Sequence, residues 1–425
     1  MDPSDKKWLL TLNKNIQKHL PKIHSSIYSE FTRHDSIEHF IHFYLHSSGI
    51  LYGYATKQML CEFHNTQTWT YSDLYKISLT EGFYLIFFYL NQEKISSKEN
   101  LSLLLEEANN KLYEFYILYS ITDSFFVKHK DILRSANKNY TTVESIIDYR
   151  VNNPGMLKKG FWKGSQFNVF SYLDLLFFSH WLQNDYLYDK RNSIKKHILQ
   201  IMIAASHCEG SIISTERLLV SYFLASGNFD EKTELELQQQ LKQGLYLNQI
   251  IIDTNLPYDI RLLLFENAVI SVLSDGSINN FEELFLGRLA EKLNISDNDV
   301  HYSIVMIQNF MLQNNKKLLY LHHKEGFEVI TKSFAQRFQV FFNKNSSKII
   351  TEISESRELV ELLWKAKNEK LTDEEREKVK EQIIDLLRTI PSLTIFMIPG
   401  GSILLPILLK ILPEEILVPS SFRNK

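Results

Sequence analysis

Wherever the apolar residues of this chain show a period, it is the helical one. Ile37, Phe40, Ile41, Tyr44 and Leu45 follow the i, i+3, i+4, i+7, i+8 pattern of one buried helix face. Leu101, Leu104, Leu105 and Ala108 repeat it, with Glu106 and Glu107 on the wet side. The run FYLIFFYL at 83–90 fits a buried strand or a buried helix equally well, and the capping-box pattern of Ser78 and Glu81 ahead of it selects helix. Asn152, Asn153, Pro154 and Gly155 read as a turn. The basic-aromatic stretch 158–164 after it reads as an exposed loop whose aromatics fold back onto the core. A polar patch at 343–347 reads as a linker. The expected fold is all-α, in several helical bundles. An N-terminal helical part covers 1–190, a middle one 191–342 and a C-terminal segment 343–425.

Composition narrows the class. With 425 residues, 44% apolar and 13% aromatic, the chain can bury large cores and lies outside the disordered class. Only 14 Gly and 9 Pro argue against an all-β fold with many turns. A net charge of −3 supplies no field for direct nucleic-acid binding. Cys61 and Cys208 are the only cysteines, too few for a disulfide scaffold, so a reducing compartment is expected. The N-terminus MDPSDKKWLLTLNKN lacks the basic-then-apolar order of a signal peptide, which places most of the mass in the cytoplasm.

The end of the chain breaks this soluble pattern. Between Arg388 and Lys410 lie twenty-one residues without a charge, TIPSLTIFMIPGGSILLPILL. That is enough to cross a bilayer, which takes about 20 residues at about 1.5 Å rise each. Pro391, Pro399 and Pro406 interrupt it, and Gly400 and Gly401 sit at its midpoint. Each proline removes a backbone donor that lipid cannot replace. The segment is either a broken membrane segment, turning at the two glycines, or a buried hairpin in a helical core. Lys370, Arg376, Lys378, Lys380 and Arg388 precede it, whereas Lys410, Arg423 and Lys425 follow, so an inserted segment leaves the large N-terminal part cytoplasmic.

The middle region holds an internal repeat. Glu209, Gly210, Ser211 and Ile212 with Glu216 recur as Asp275, Gly276, Ser277 and Ile278 with Glu282, offset by 66 (209 to 275, 216 to 282). Asn228 and Phe229 recur as Asn294 and Ile295 at the same offset. Each copy reads helix, acidic-Gly turn, helix, with glycine closing the first helix and the later Glu in the first turn of the next. Asn279 and Glu282 form a capping box in the second copy, and Ser214 is the nearer cap in the first. This pattern resembles the tellurite-resistance TerB-like fold over about 191–335, a bundle of two pseudo-symmetric halves. The resemblance implies that Glu209, Glu216, Asp275 and Glu282 are oxygen ligands for calcium or magnesium. Capping alone also explains each of these residues, and it is the reading the residues favour.

A second resemblance covers 371–422. Leu371 and Thr372 with Glu375 and Arg376 begin it, then Asp385, Leu386, Arg388, Pro391, Pro399, Leu404, Leu405, Pro406, Lys410, Pro413 and finally Pro419, Ser420, Ser421 and Phe422. In order and spacing these are similar to the Letm family, leucine-zipper/EF-hand-containing transmembrane proteins of the mitochondrial inner membrane. The resemblance implies membrane association, a role in potassium/proton homeostasis, and ribosome docking. Where the family has an acidic residue three positions after the proline matched by Pro399, this chain has Ser402, so an intramembrane carboxylate for exchange is absent. Pro413 to Pro419 is two residues longer than the family spacing. The ribosome-binding domain that follows in the family is expected to be missing. Taken together the resemblances imply a bacterial inner-membrane protein, most of it cytoplasmic, acting in envelope cation homeostasis or as an adaptor for a protein partner. The competing class is a soluble interaction protein whose proline-rich hairpin is core.

No enzyme constellation stands out. Asp35, His39, His42 and His46 share one helix stripe that could bind zinc or iron, but it lies opposite Ile37, Phe40 and Ile41 and so reads as solvated or partner-facing. Cys208 lies beside His207, but adjacent side chains on a helix diverge, so it reads as a buried structural cysteine. There is no glycine-rich phosphate loop, no Cys-x-x-Cys, no His-Glu-x-x-His and no Gly-x-Ser-x-Gly. No cofactor is expected.

Overall fold

The computed structural model describes residues 2–32, 34, 36–60, 68–95, 97–119, 140–152, 168–253, 255–276, 278–314, 326–389 and 401–413. The turn expected at 152–155 and the loop at 158–164 lie outside these residues, apart from Asn152, which ends a helix. Within them the fold is all-α, with no strand. Two compact units form, Met1–Ser271 and Val272–Lys425.

The first unit contains α1 (Trp8–Lys18), α2 (Leu20–Phe31), α3 (Ile37–Phe40), α4 (Tyr71–Leu90), α5 (Lys98–Tyr119), α6 (Tyr140–Asn152), α7 (Ser171–Leu182), α8 (Arg191–Ser206), α9 (Ser214–Ser226) and α10 (Glu231–Gln243). Helix α11 (Tyr258–Val272) closes it. The run at 83–90 is indeed helical, but α4 starts twelve residues before it, at a reciprocal capping box. Asp73 N donates to Thr70 Oγ1 at 3.2 Å, and Thr70 N donates to Asp73 Oδ2 at 3.0 Å. Ser78 and Glu81 are therefore not a cap. They lie mid-helix, both buried, where Ser78 Oγ donates to Lys57 O and Glu81 Oε2 accepts from Met59 N. A strand-length apolar run cannot reveal how far upstream its helix begins, because the first turns of α4 are polar.

Helices α4 and α7 form the centre of this unit, and α5 and α6 pack on α4. Every residue of α7 from Ser171 to His180 is buried, which fits a helix apolar nearly all round. Gly82 lets the two helices close up, since a Cβ there would meet Leu175 Cδ2 at 3.1 Å. Charges buried here are paired. Arg150 forks onto Asp174 (Nε to Oδ2 at 2.7 Å, Nη2 to Oδ1 at 2.6 Å), and Arg191 Nη2 reaches the same Oδ1 at 2.8 Å.

The second unit contains α12 (Asn280–Leu293), α13 (Asp297–Asn314), α14 (Gly326–Lys344), α15 (Ser346–Glu355), α16 (Arg357–Asn368), α17 (Asp373–Thr389) and α18 (Gly401–Ile411). The linker expected at 343–347 is a helix junction instead. Only Asn345 separates α14 from α15, and its Nδ2 donates to Phe341 O at 2.9 Å, so a polar residue caps a corner without releasing the chain.

Candidate functional site

The C-terminal helices are amphipathic and short. Helix α17 begins on the residues that carry the second resemblance: Thr372 N donates to Glu375 Oε2 at 2.9 Å and Glu375 N donates to Thr372 Oγ1 at 3.2 Å. Glu375 Oε1 also takes a hydrogen bond from Lys365 Nζ at 2.6 Å, which ties α16 to the start of α17. The same pairing holds the Glu375 carboxyl below and the Lys365 ammonium above their ordinary ranges. Packing of α15 on α16 and α17, and of α17 on α16 and α18, buries Ile349, Ile353, Leu359, Leu363, Val379, Ile383 and Leu386. Their polar faces carry paired charges of both signs, such as Lys378 with Glu358 and Lys380 with Glu377.

Pro391, Pro399 and Gly400 lie outside the described residues. Gly401 and Ser402 open α18, and Pro406 sits exposed inside it. Pro406 has no N–H for the carbonyl one turn back, at Ser402, yet the helix continues to Ile411. Ile407, Leu408 and Leu412 are buried within the second unit. At about 1.5 Å per residue, eleven residues reach about half of a bilayer's hydrocarbon core. No helix among the described residues is long and apolar enough to cross a membrane.

The two repeat copies share their backbone geometry. Gly210 and Gly276 both adopt φ +96°, the left-handed conformation that glycine tolerates best. Gly210 N donates to His207 O at 2.9 Å and Gly276 N to Leu273 O at 3.0 Å, again 66 residues apart. Asn228 and Asn294 are both left-handed, at φ 46° and 52°. Helices α9 and α12 start 66 residues apart, as do α10 and α13. Glu282 completes a capping box with Asn279 (Asn279 N to Oε2 at 2.9 Å, Glu282 N to Asn279 Oδ1 at 3.2 Å). In the first copy the cap is not Ser214. The helix begins there, and Glu216 Oε2 accepts from Ile213 N at 2.9 Å, half a box, because Ile213 has no side-chain acceptor to return the bond. Glu209 is exposed and Asp275 half-buried. Glu209 and Glu216 fall in the first unit, Asp275 and Glu282 in the second. Among the described residues no three His, Cys, Asp or Glu side chains form a group that could hold a metal ion.

The histidine stripe does not face solvent. Asp35 lies outside the described residues and His39 is half-buried, but His42 and His46 are buried at 7% and 0% exposure. After α3 the backbone winds as a π-helix over Ile41–Leu45 and a 3₁₀ turn over His46–Ser48, so the wheel drawn for a regular α-helix fails there. The rewound turn points both imidazoles at Glu266 of α11. His42 Nδ1 is 3.1 Å and His46 Nε2 3.6 Å from Glu266 Oε1. At 3.6 Å the second contact is too long for a hydrogen bond, and neither His46 ring nitrogen has one. Burial outweighs the neighbouring Glu266 charge and pulls His46 down to about 4, so the ring is neutral. Glu81 shows the converse. Desolvation pushes its carboxyl up to about 8 against the hydrogen bonds from Met59 N and Leu60 N. Cys208 is half-buried rather than core, because it follows the end of α8 at the solvent-facing turn.

Another buried contact carried no sequence signal. His180, in the last turn of α7, lies between Asp259 and Asp185 with its ring nitrogens 3.0 Å from each. Nothing in the sequence relates position 180 to position 259, which only the packing brings together.

No curated protein and no solved structure matches the chain. Residues 371–425 match the family model LETM1-like, RBD, where RBD denotes the ribosome-binding domain. The expectation that this domain is missing is therefore corrected. The matched model is itself the ribosome-binding one, and it takes in the segment that sequence reading had assigned to the membrane part of the family. The C-terminal helices from Leu371 onward are Letm-like.

Proposed function

We propose that the chain is a non-enzymatic helical adaptor whose C-terminal helices dock on ribosomes, at a membrane, and that it influences cation homeostasis through a partner. The observation that carries this reading is the match of residues 371–425 to the LETM1-like, RBD family. The helical core that α15, α16 and α17 share supports it, since it offers a rigid platform for the matched residues. Charges of both signs on that platform pair with one another, which favours a protein contact over direct binding to nucleic acid. Bacterial inner-membrane localisation belongs to the same proposal, with the apolar stretch around Pro399 as the anchor. The duplicated glycine turns and caps support reading the middle region as TerB-like, with helix capping as the role of Glu216 and Glu282.

The test is co-sedimentation from cells making the full chain or a chain ending near Asn345. The full chain should travel with membranes and with ribosomes, and the shortened chain with neither. Full-length protein that stays in the supernatant of both would end the proposal. One observation favours a second reading, a soluble interaction protein with the hairpin as core. Helix α18 is short and buries Ile407, Leu408 and Leu412 against protein. Ribosome binding without resistance to carbonate extraction would select it.

A further inference from the structure

Both nitrogens of the His180 ring face carboxylates, and a neutral imidazole has only one N–H to give. Nε2 lies 3.0 Å from each Asp259 oxygen, and Nδ1 lies 3.0 Å from Asp185 Oδ2. The ring is 7% exposed and Asp259 8%, while Asp185 is open to solvent. The fold holds this geometry from both ends. After α7 the chain doubles back through Asn184 at φ 63°, and Asp185 N donates to His180 O at 2.9 Å, which presses the Asp185 side chain onto Nδ1. Asp259 stands in the first turn of α11, where its Oδ1 also takes Ile260 N at 2.8 Å.

We propose that His180 is a proton-operated latch. Protonated, it bridges the end of α7, the turn at Asp185 and the first turn of α11. When it loses a proton, one ring nitrogen is left lone pair to carboxylate, and the α7–α11 junction opens locally.

Among the described residues, the charges around it leave the ring to these two partners. From α11, Asp259 is the facing group, and Arg261 beyond it lies over the Tyr258 ring. Tyr172 of α7, which feels both Glu266 and Asp259, is held neutral by burial. From α5, Lys111 lies over the neighbouring Trp181 ring and pairs with Glu114. On α4, Glu81 stands next to Gly82, which packs against Leu175 of α7, and burial pushes the Glu81 carboxyl up to about 8. Lys190 is engaged by Asp253. Burial by itself would lower the His180 pKa, but the hydrogen bonds and charge of Asp259, then those of Asp185, outweigh it and hold it above the ordinary value. The latch is therefore closed at low pH and opens as pH rises through the elevated pKa. Opening of the protonated latch releases one proton, so the opening constant rises up to tenfold per pH unit between the ordinary histidine value and the elevated pKa and levels off above it.

Hydrogen exchange of the full chain between pH 6 and 9, corrected for the intrinsic pH dependence, reads this opening directly. Peptides over 176–187 and 256–264 should lose protection with rising pH, while α9 and α10 do not change. Asp185→Asn, at an exposed position, should move the midpoint to lower pH, and His180→Gln should abolish the transition. Corrected exchange that is flat in the unaltered chain overturns the latch, and so does a transition that survives His180→Gln. If His180→Gln does not fold, an unmoved midpoint in Asp185→Asn overturns it instead.

Discussion

Two buried titratable residues give this protein opposite responses to pH. Glu81 is held protonated, with a pKa near 8 against an unfolded value of 4.5. Its contribution to stability is fully present below pH 4.5 and is lost as pH rises through about 8. His46 is held neutral, with a pKa near 4 against 6.5, so its contribution is present above pH 6.5 and is lost as pH falls toward 4. Denaturant titrations across pH should show both limbs. Glu81→Gln should reduce the alkaline slope, by a total on the order of a few kcal/mol, and leave the acid one. An alkaline slope unchanged in Glu81→Gln would assign it elsewhere. Neither residue was legible as buried and shifted. Glu81 reads in sequence as part of a helix start, and His46 as one of a solvated or partner-facing stripe, because burial depends on neighbours far along the chain.

Among the elements, the caps and the close approach of α4 to α7 should dominate single-site costs. Replacing Glu216 or Glu282 by Ala removes the acceptor at a helix start and should cost about 0.5–2 kcal/mol each. If capping is their whole role, calcium and magnesium leave the melting temperature unchanged. A rise with either ion that Asp275→Asn abolishes would establish the ligand role. Gly82→Ala places a methyl 3.1 Å from Leu175 and should cost about 1–3 kcal/mol by overpacking. Helix existence at these places was readable from period and caps. The boundaries were less so: α4 begins at Tyr71, well before its apolar run, and the segment after α3 departs from α-helical winding. Polar first turns and a π-helical turn leave no mark in a hydrophobic pattern.

For the whole molecule, the question is what the C-terminal segment does. Exchange of potassium for protons within a bilayer needs a group that titrates or binds cation there, and no such side chain lies between Arg388 and Lys410. Purified protein in liposomes should therefore show no potassium-driven proton flux. Robust flux that Ser402→Ala abolishes would make the chain itself the exchanger. The Letm-like character of this segment was legible because proline spacing within an apolar run, and the spacing of Leu371, Thr372, Glu375 and Arg376 ahead of it, are local signals. Its assignment to the ribosome-binding part of the family was not, since helices of one amphipathic pattern serve a membrane edge or a docking platform alike.

The sequence by itself determined the all-α class, the 66-residue repeat, and the residues at which the second copy's capping box forms. These depend on interactions a few residues apart, so residue type and spacing suffice. Only the tertiary structure decided that His42 and His46 turn inward onto Glu266, that Glu81 is desolvated, and that His180 bridges Asp185 and Asp259. Each of these depends on a buried environment assembled by packing, and the partners of His42, His46 and His180 include α11 residues far along the chain. Periodicity marks the face a helix buries, but the groups waiting on the other side of that face are chosen by the fold.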